Sequence, residues 1–414
     1  ELIAISCFWH SLVGIDENNS PTTPVLTWAD TRAAGTALDL RKRLDERATH
    51  NRTGCRFHPC YWPAKLAWLR TEQPQIFRST SRWLSFSEYL TLRLFEETQM
   101  SISMASGTGF LDLRKCEWDQ ELLHGLEIPS STLSEIATKS VLRSRLSDEF
   151  AARWPQLSGA FLCPAIADGA ASNIGSGCTT RNKLALMIGT SGAARVLFEG
   201  DPPAQIPSEL WCYRADATRI VIGGALSDGG GLYQWFRDLL LPNESFQVIE
   251  ELLQTVAPDS HGLTMLPFWN GERSTGWSLQ ARGALHGLRP GTTPIEILRA
   301  TMEAIAYRLA LIVKALEPFS EMTAIIASGN ALQSSRVWSQ IIADVIGRPI
   351  SVSDAREAST RGAALLALEG VGKIPTIDEV NNEVDETFTP DAARHARYQA
   401  GLERQQKLYH QVMK

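Results

Sequence analysis

The stretch KLALMIGTSGAARVLF, residues 183–198, places two apolar runs on either side of a Gly-Thr-Ser-Gly turn at residues 189–192. Apolar runs of this length, bounded by a glycine-containing turn, predict two strands, Lys183–Ile188 and Ala193–Phe198, joined as a hairpin. Glycines leave backbone N–H groups free to point at an anion, and the Thr and Ser add hydroxyl donors. The turn is therefore either a phosphate site or a plain hairpin turn, and four residues leave both interpretations open.

Strand-like runs alternate with longer helical patterns on both sides of this hairpin. Further strands are predicted at Leu2–Ser6, Leu12–Asp16, Arg219–Ile222, Thr323–Ala327 and Pro349–Val352. Helices are predicted at Arg32–Asp45, Pro63–Glu72, Ser85–Phe95, Leu232–Leu239, Pro294–Leu316, Ser335–Val345, Arg361–Leu368 and, as a solvated surface helix, Ala392–Met413. This alternation indicates an α/β protein. A length of 414 residues favours two domains, with their junction in the glycine-rich patch Ala165–Gly177.

Composition excludes several classes of function. Forty Lys and Arg against 46 Asp and Glu give a net charge of −6, so bulk attraction of nucleic acid or anionic membrane is not expected. No apolar run approaches the ~20 residues that cross a bilayer. Seven scattered cysteines without a C-x-x-C pair indicate reduced, mostly buried thiols in a cytoplasmic protein.

A lone carboxylate stands at the start of the segment Asp168–Gly175, directly after the apolar run Phe161–Ala167. A carboxylate at a strand end beside glycines lies where a substrate approaches the backbone, and it accepts a proton from a hydroxyl if it is held unpaired. The alternative is that Asp168 caps the following turn or helix.

Two more glycine clusters lie at transitions from a strand to a helix. Gly223-Gly224 and Gly229–Gly231 precede the helix at Leu232, and Ser328–Ala331 lies between the strand at Thr323 and the helix at Ser335. Helix N-termini carry unpaired donors and partial positive charge. With the 189–192 turn, three such junctions after an isolated Asp are typical of a nucleotide site.

Other residues suit a polar substrate. The segment Trp28–Arg32 combines three such side chains. An Asp can accept hydrogen bonds from sugar hydroxyls, an Arg can pair with a carboxylate, and a Trp offers a face for C–H stacking. The alternative is that Asp30 is the N-cap of the helix containing Arg32. His10 is, in isolation, more often a core histidine than a ligand-binding one. Gly271–Arg273 either lines a cleft or forms an inter-domain ion pair, and the structural role is favoured.

Taken in order along nearly the whole chain, these segments resemble the FGGY family of carbohydrate kinases, within the actin-like (ribonuclease H-like) ATPase fold. Trp28–Arg32 is similar to the family's substrate-binding W-x-D-x-R. Asp168-Gly169 with Asn173–Gly175 is similar to its catalytic-base segment, and the 189–192 turn to its second phosphate loop. Ser328–Ala331, with Trp338, Ala343–Val345 and Gly362–Ala364 beyond it, is similar to the adenosine motif and its helix.

The resemblance implies two domains around a cleft, a sugar-binding domain over residues 1–175 and a nucleotide-binding domain over 176–414. It also implies ATP and Mg²⁺, transfer of phosphate to a primary hydroxyl, a cytoplasmic protein and, as the family habit, a homodimer. Gluconokinases are the most similar members, which predicts conversion of D-gluconate to 6-phosphogluconate, with a xylulokinase-like or other FGGY sugar kinase as the alternative. The residues that carry this closer similarity are His10-Ser11, Thr27–Arg32, Arg52–Gly54, His58-Pro59, Met104–Ser106, Thr108-Gly109 and Gly271–Arg273.

The residue roles implied by the resemblance fall into three groups, and the metal ligands stay unassigned. Asp168 is the catalytic base. The sugar contacts are His10, Trp28, Asp30 and Arg32. The nucleotide contacts are Gly189, Thr190, Ser191, Gly230, Gln234, Gly329, Asn330, Ala331 and Ser334.

Two features depart from the family pattern. The adenosine motif normally has a second glycine where this chain has Asn330, whose side chain either crowds the adenine or hydrogen-bonds to it. The family's opening D-x-G-T phosphate loop does not occur, and the chain begins at Glu1 inside a strand pattern. We therefore expect an N-terminal sheet without its first strands and, for residues 1–414 alone, weak MgATP binding and little kinase activity. A non-catalytic fragment that retains the sugar cleft is the competing interpretation.

Overall fold

The computed structural model describes residues 1–137, 145–355, 357–380 and 384–413, which form an α/β structure. The strands are β1 Leu2–Ile3, β2 Ser6–Cys7, β3 Val13–Ile15, β4 Arg82–Leu84, β5 Met100–Ser101, β6 Leu111–Asp112, β7 Glu117–Trp118, β8 Ile136–Ala137, β9 Phe161–Leu162, β10 Ile166–Ala167, β11 Lys183–Ile188, β12 Gly192–Glu199, β13 Trp211–Arg214, β14 Arg219–Leu226, β15 Thr264–Leu266, β16 Ala284–His286, β17 Ala324–Ser328, β18 Ile350–Ser353 and β19 Val384–Phe388.

The helices are α1 Ala34–Arg43, α2 Glu46–Thr53, α3 Trp62–Glu72, α4 Pro74–Ser79, α5 Phe86–Phe95, α6 Ile102–Ser106, α7 Gln120–Gly125, α8 Asp148–Arg153, α9 Asp168–Gly175, α10 Gly230–Leu240, α11 Phe246–Thr255, α12 Pro294–Leu316, α13 Asn330–Ser334, α14 Arg336–Ile346, α15 Ala358–Gly370 and α16 Ala392–Val412.

A seven-stranded sheet organises the second half of the chain, in the order β13-β14-β12-β11-β17-β18-β19. β11 and β12 form the predicted antiparallel hairpin, with Ile188 opposite Gly192. β11 also pairs in parallel with β17, and β17 pairs in parallel with β18. The carboxyl ends of these parallel strands lie at one edge of the sheet, where ligands bind in open α/β sheets.

Helix α12 crosses this sheet and is buried along most of its length. It begins with a capping box, in which the Thr293 hydroxyl accepts from the Glu296 N–H and Glu296 reaches back to the Thr293 N–H, and Pro294 suits the first helical turn. Its bounds agree with the sequence prediction. No helix among the described residues has the length and apolarity to cross a bilayer.

The first 175 residues contain short strands connected by helices. β1 pairs in parallel with β9, and β2 with β10, so the runs at Leu2–Cys7 and Phe161–Ala167 lie side by side. Helix α9 follows β10 and packs closely on α15. A Cβ on Gly362 would lie 1.9 Å from the Ala171 carbonyl oxygen, and one on Gly175 would lie 1.8 Å from that of Ala358. These two glycines let the helices touch, which holds the start of α9 against the seven-stranded part.

Some predicted bounds differ from the structure. The strand predicted over Leu2–Ser6 is interrupted and continues only at Ser6–Cys7. Helix α1 begins at Ala34 and not at Arg32. Helix α16 is less solvated than expected, because Tyr398 and Gln405 are buried. All seven cysteines fall within the described residues and are free thiols, and six of them are buried.

Candidate active site

A pocket of about 110 Å³ lies between the first 175 residues and the sheet that begins at Lys183. Its wall is unusually aromatic, and it also carries one carboxylate and two guanidinium groups. The aromatic residues are Trp9, His10, Trp28, Tyr61, Trp211, Tyr213 and Trp277. The charged residues are Asp168, Arg195 and Arg273, and Met187 and Ser191–Ala193 close the side nearest the hairpin turn. Aromatic faces suit the C–H faces of a sugar chain.

Asp168 is the first residue of α9, directly after β10. Its Oδ1 accepts a 2.7 Å hydrogen bond from the Gly169 N–H, and the N-cap position belongs to Ala167, so Asp168 is not the predicted cap. The carboxyl keeps solvent access through the pocket although protein surrounds it closely. This surrounding raises its pKa above the usual range, and the nearby Arg195 guanidinium opposes that rise. A raised pKa suits a general base better than a fully solvated carboxylate does.

His10 lies on the pocket wall with a positive φ of 68°. Its Nδ1 lies 2.5 Å from the Gly107 carbonyl oxygen, which can only accept, so Nδ1 carries the proton and Nε2 is left as an acceptor. Burial lowers its pKa to about 3, so the ring is neutral at physiological pH. The buried Lys65 ammonium donates to the carbonyls of His10, at 2.7 Å, and Leu26, at 3.3 Å. Lys65 thereby joins the segment that carries His10 to the segment that ends at Leu26, just before Trp28.

Trp28 forms part of the same wall, and the Arg273 guanidinium carbon lies 5.0 Å from the centre of its ring. Asp30 and Arg32 lie outside the lining residues and bind each other through a two-pronged ion pair. Asp30 also accepts from the Arg32 backbone N–H at 3.1 Å, so it stabilises a turn ahead of α1 and is not the cap of that helix. Hydrogen bonds from Arg32 hold the pKa of Asp30 below its usual value.

The three glycine junctions meet at the carboxyl edge of the sheet. The Gly230 N–H, at the start of α10, donates to the Gly189 carbonyl at 2.7 Å. A Cβ on Gly230 would lie 2.6 Å from that oxygen and 3.4 Å from Cβ of Ala331. Gly329 has a φ of 92° and lies against the Ile188 carbonyl, where a Cβ would approach to 2.5 Å. The 189–192 segment is thus both a hairpin turn and a neighbour of two helix starts.

The remaining predicted nucleotide contacts lie around this junction. Thr190, Asn330 and Ser334 are exposed, and Ser191 reaches the pocket. Gln234 lies in the second turn of α10 and donates to the Asp238 carboxylate. The roles of these residues as nucleotide contacts stay predictions.

The segment Gly271–Arg273 divides between two roles. Glu272 is structural, because it forms a fully buried ion pair with Arg308, but both residues lie in the predicted nucleotide-binding domain, so the pair is not the expected inter-domain one. Arg273 does not, because it lines the pocket, donating through Nη2 to the Leu226 carbonyl at 2.7 Å. Its Nε is buried without a hydrogen-bond partner among the described residues. The interpretation of Arg273 as structural is therefore wrong.

Sequence reasoning missed Arg195 altogether. It lies in β12 among apolar neighbours and is 4% exposed. A single cation in the middle of an otherwise apolar strand was the available signal, since a buried charge requires a partner. Trp9, Trp211, Tyr213 and Trp277 were also missed, because isolated aromatics are indistinguishable from core residues in a sequence.

A grouping of Asp259, His261 and Glu303 has the spacing of metal ligands but does not fit Mg²⁺. Glu303 is paired with Arg299, and Asp259 with Arg404. His261 accepts from the Leu263 N–H through Nδ1, so its Nε2 carries the proton and donates to Glu303. Each of the three residues therefore already has a partner within the protein. Mg²⁺ prefers oxygen ligands without competing cations, so this group is a poor site for it.

Models of the FGGY family of carbohydrate kinases match almost all of the chain, the N-terminal domain over residues 1–175 and the C-terminal domain over residues 184–370. The chain belongs to the FGGY family of carbohydrate kinases. It is 31% identical over 417 residues to a gluconokinase of Bacillus subtilis (strain 168), covering 95% of this chain and 80% of that protein.

Two solved structures of family members agree with the fold. A xylulose kinase from Lactobacillus acidophilus superposes with a TM-score of 0.91 at 29% identity, covering 99% of this chain and 84% of that one. A gluconate kinase from the same organism superposes with a TM-score of 0.89 at 29% identity, covering 100% and 84%. The predicted two-domain actin-like ATPase fold is confirmed, and this FGGY chain is an ATP-dependent carbohydrate kinase.

Proposed function

We propose that this FGGY kinase transfers the γ-phosphate of ATP to the primary hydroxyl of D-gluconate, giving 6-phosphogluconate. The observation that carries the choice of a sugar acid is Arg273, which lines the pocket with its guanidinium over Trp28 and whose Nε has no hydrogen-bond partner in the described part of the chain. A carboxylate on the substrate supplies the acceptor that this group lacks. The similarity to a gluconokinase supports the same choice.

In the proposed reaction the sugar chain lies against the aromatic residues of the pocket, and one of its hydroxyl groups donates a hydrogen bond to Nε2 of His10. Asp168 takes the proton of the attacking hydroxyl, and backbone donors of the 189–192 turn stabilise the charge on the phosphoryl oxygens. Mg²⁺ would enter with ATP and neutralise phosphate charge, and we assign it no protein ligand. A buried, aromatic pocket limits the access of water, which competes as an acceptor.

The test is a coupled ADP-release assay on the full-length gene product with D-gluconate, xylulose, ribulose and glycerol. Gluconate should give the highest kcat/KM. Sorbitol, which replaces the carboxylate by a hydroxymethyl group, should be poorer by about tenfold or more, the value of one lost charged hydrogen bond. A higher kcat/KM for xylulose would overturn the choice of gluconate and leave the kinase chemistry intact.

A variant of Arg273 and a matched control at a distant arginine test the recognition of the carboxylate. Arg273→Gln should raise KM for gluconate, because it removes the cation proposed to bind the carboxylate. The ratio of kcat/KM for gluconate to kcat/KM for sorbitol should therefore decrease. Arg43→Gln, at an exposed position in the last turn of α1, should leave the kinetics with both substrates unchanged. A homodimer and a cytoplasmic location remain predictions. Light scattering of the purified protein tests whether it is a dimer.

A further inference from the structure

Arg195 lies in the middle of β12 with its side chain on the wall of the active-site pocket. It is 4% exposed, and within the described ranges its Nε and Nη2 are buried without a hydrogen-bond partner. Leaving donors of a buried cation unpaired is costly, so such a group is expected where a ligand supplies the acceptors.

The surrounding backbone makes room for this side chain at two points. Gly223 is opposite Arg195 in the antiparallel pairing of β12 with β14, and a Cβ there would lie 2.7 Å from Cγ of Arg195. A Cβ on Gly169 would lie 2.6 Å from its Nη1. Glycines therefore border both the stem and the head of the side chain, and the guanidinium is directed to the residue next to Asp168.

Arg195 also connects the two ends of the proposed transfer. Its backbone is three residues beyond Gly192, on the strand that leaves the proposed phosphate turn, while its Nη1 reaches Gly169. Ser191 and Asp168 both line the same pocket. A phosphoryl group that passes from the turn to a hydroxyl at Asp168 must cross the space that the guanidinium borders.

We propose that Arg195 is a catalytic residue that donates its free N–H groups to the oxygens of the phosphoryl group during transfer. The acceptor oxygen forms a bond to the γ-phosphorus, and the bond between that phosphorus and the β–γ bridging oxygen breaks, with its electron pair leaving on ADP. The hydroxyl proton passes to Asp168, and Arg195 neutralises the charge on the equatorial oxygens. This rests on Asp168 as the proposed base and not on the identity of the sugar.

Kinetics of Arg195→Gln and Arg195→Lys in the full-length gene product test the role. Removal of one positioned donor typically lowers kcat by about 10²–10³-fold. The kcat of Arg195→Gln should therefore be lower than that of wild type by this factor, and its KM for the sugar should change less than about threefold. Arg195→Lys keeps the charge and should retain more activity than Arg195→Gln. A circular-dichroism melt confirms that each variant is folded, and Arg195→Lys carries the test if Arg195→Gln does not fold.

Binding of product against substrate distinguishes this role from sugar recognition. Titration calorimetry measures D-gluconate and 6-phospho-D-gluconate on wild type, Arg195→Gln and Arg273→Gln. Arg195→Gln should weaken the binding of 6-phospho-D-gluconate by a factor at least about ten times larger than its effect on the binding of D-gluconate. Arg273→Gln should weaken the binding of both ligands equally. If the substrate panel identifies another acceptor, that sugar and its phosphate replace this pair, so a wrong choice of gluconate leaves the test of Arg195 intact.

Two outcomes would overturn the proposal. Equal weakening of both ligands by Arg195→Gln would assign the residue to sugar binding. Unchanged kcat in folded Arg195→Gln, or in Arg195→Lys where Arg195→Gln does not fold, would show that the guanidinium does not contact the transferred group.

Discussion

The Glu272 carboxylate and the Arg308 guanidinium form an ion pair that is closed off from solvent, with side-chain exposures of 0% and 2%. Glu272 also accepts from the backbone N–H groups of Gly276 and Ser278 and from the Tyr409 hydroxyl. The pair therefore holds the loop that carries Arg273 into the pocket. The residue that lines the pocket and the residue that fixes the loop are therefore adjacent in sequence.

Breaking this pair from one side should be strongly destabilising. Glu272→Ala leaves the Arg308 charge buried without its partner, which costs about 3–5 kcal/mol of unfolding free energy. Urea unfolding measures the loss. The double variant Glu272→Leu with Arg308→Met should lose less than either single variant, since no charge is then buried. A loss below about 1 kcal/mol for Glu272→Ala would contradict this account of the loop.

Asp168→Asn should lower kcat by about 10²–10⁴-fold while the affinity for the sugar changes only a few-fold, because the amide keeps the shape of the side chain but is a far weaker base. Steady-state kinetics and calorimetry with the sugar measure the two effects separately. Retention of more than about a tenth of the wild-type kcat would remove Asp168 from the role of base.

Alanine at Asp30 or Arg32 should raise KM for the sugar several-fold and leave KM for ATP unchanged, because both residues shape the turn that follows Trp28, which lines the pocket. Since they bind each other, the double variant should cost little more than either single one. A collapse of ATP binding would show that the segment belongs to the nucleotide side.

Gly230→Ala should raise KM for ATP about tenfold or more, a loss of about 1.4 kcal/mol of binding free energy, because its Cβ would displace the Gly189 carbonyl. Gly35→Ala is the matched control, since a Cβ there meets nothing within 4 Å in helix α1. The control should be stabilised by roughly 0.5–1 kcal/mol through helix propensity. An unchanged KM for ATP in Gly230→Ala would separate this junction from the nucleotide.

Lys65 should make stability rise with pH in the alkaline range. Burial lowers the pKa of its ammonium from 10.5 to about 8, so between those values the unfolded chain binds more protons than the folded one. The unfolding free energy of wild type relative to Lys65→Met should therefore increase between pH 8 and 10.5, by up to about 1.4 kcal/mol per pH unit. Urea unfolding at pH 7.5, 9 and 10 measures it, with the exposed Lys42→Met as control. A difference that stays flat or falls would contradict the lowered pKa.

Elements with strong local signals were predictable from the sequence. The hairpin of β11 and β12 and the helix Pro294–Leu316 agree with prediction because apolar runs, a glycine turn and a capping box are all local features. The family resemblance rested on short motifs in order. Of the residues that it assigned to the sugar and the base, His10, Trp28 and Asp168 line one pocket, whereas Asp30 and Arg32 lie outside it, and their roles stay predictions.

The two-residue strands β1 and β2 were not separable in sequence, since their break depends on pairing with β9 and β10 more than 150 residues away. The same holds for the charges in the pocket. Whether Arg195 and Arg273 have partners depends on which groups distant segments bring within hydrogen-bond distance, and that is a property of the packed chain. Local pattern determines strands, helices and turns, whereas the burial and pairing of a charge are decided only when the two halves of the chain meet.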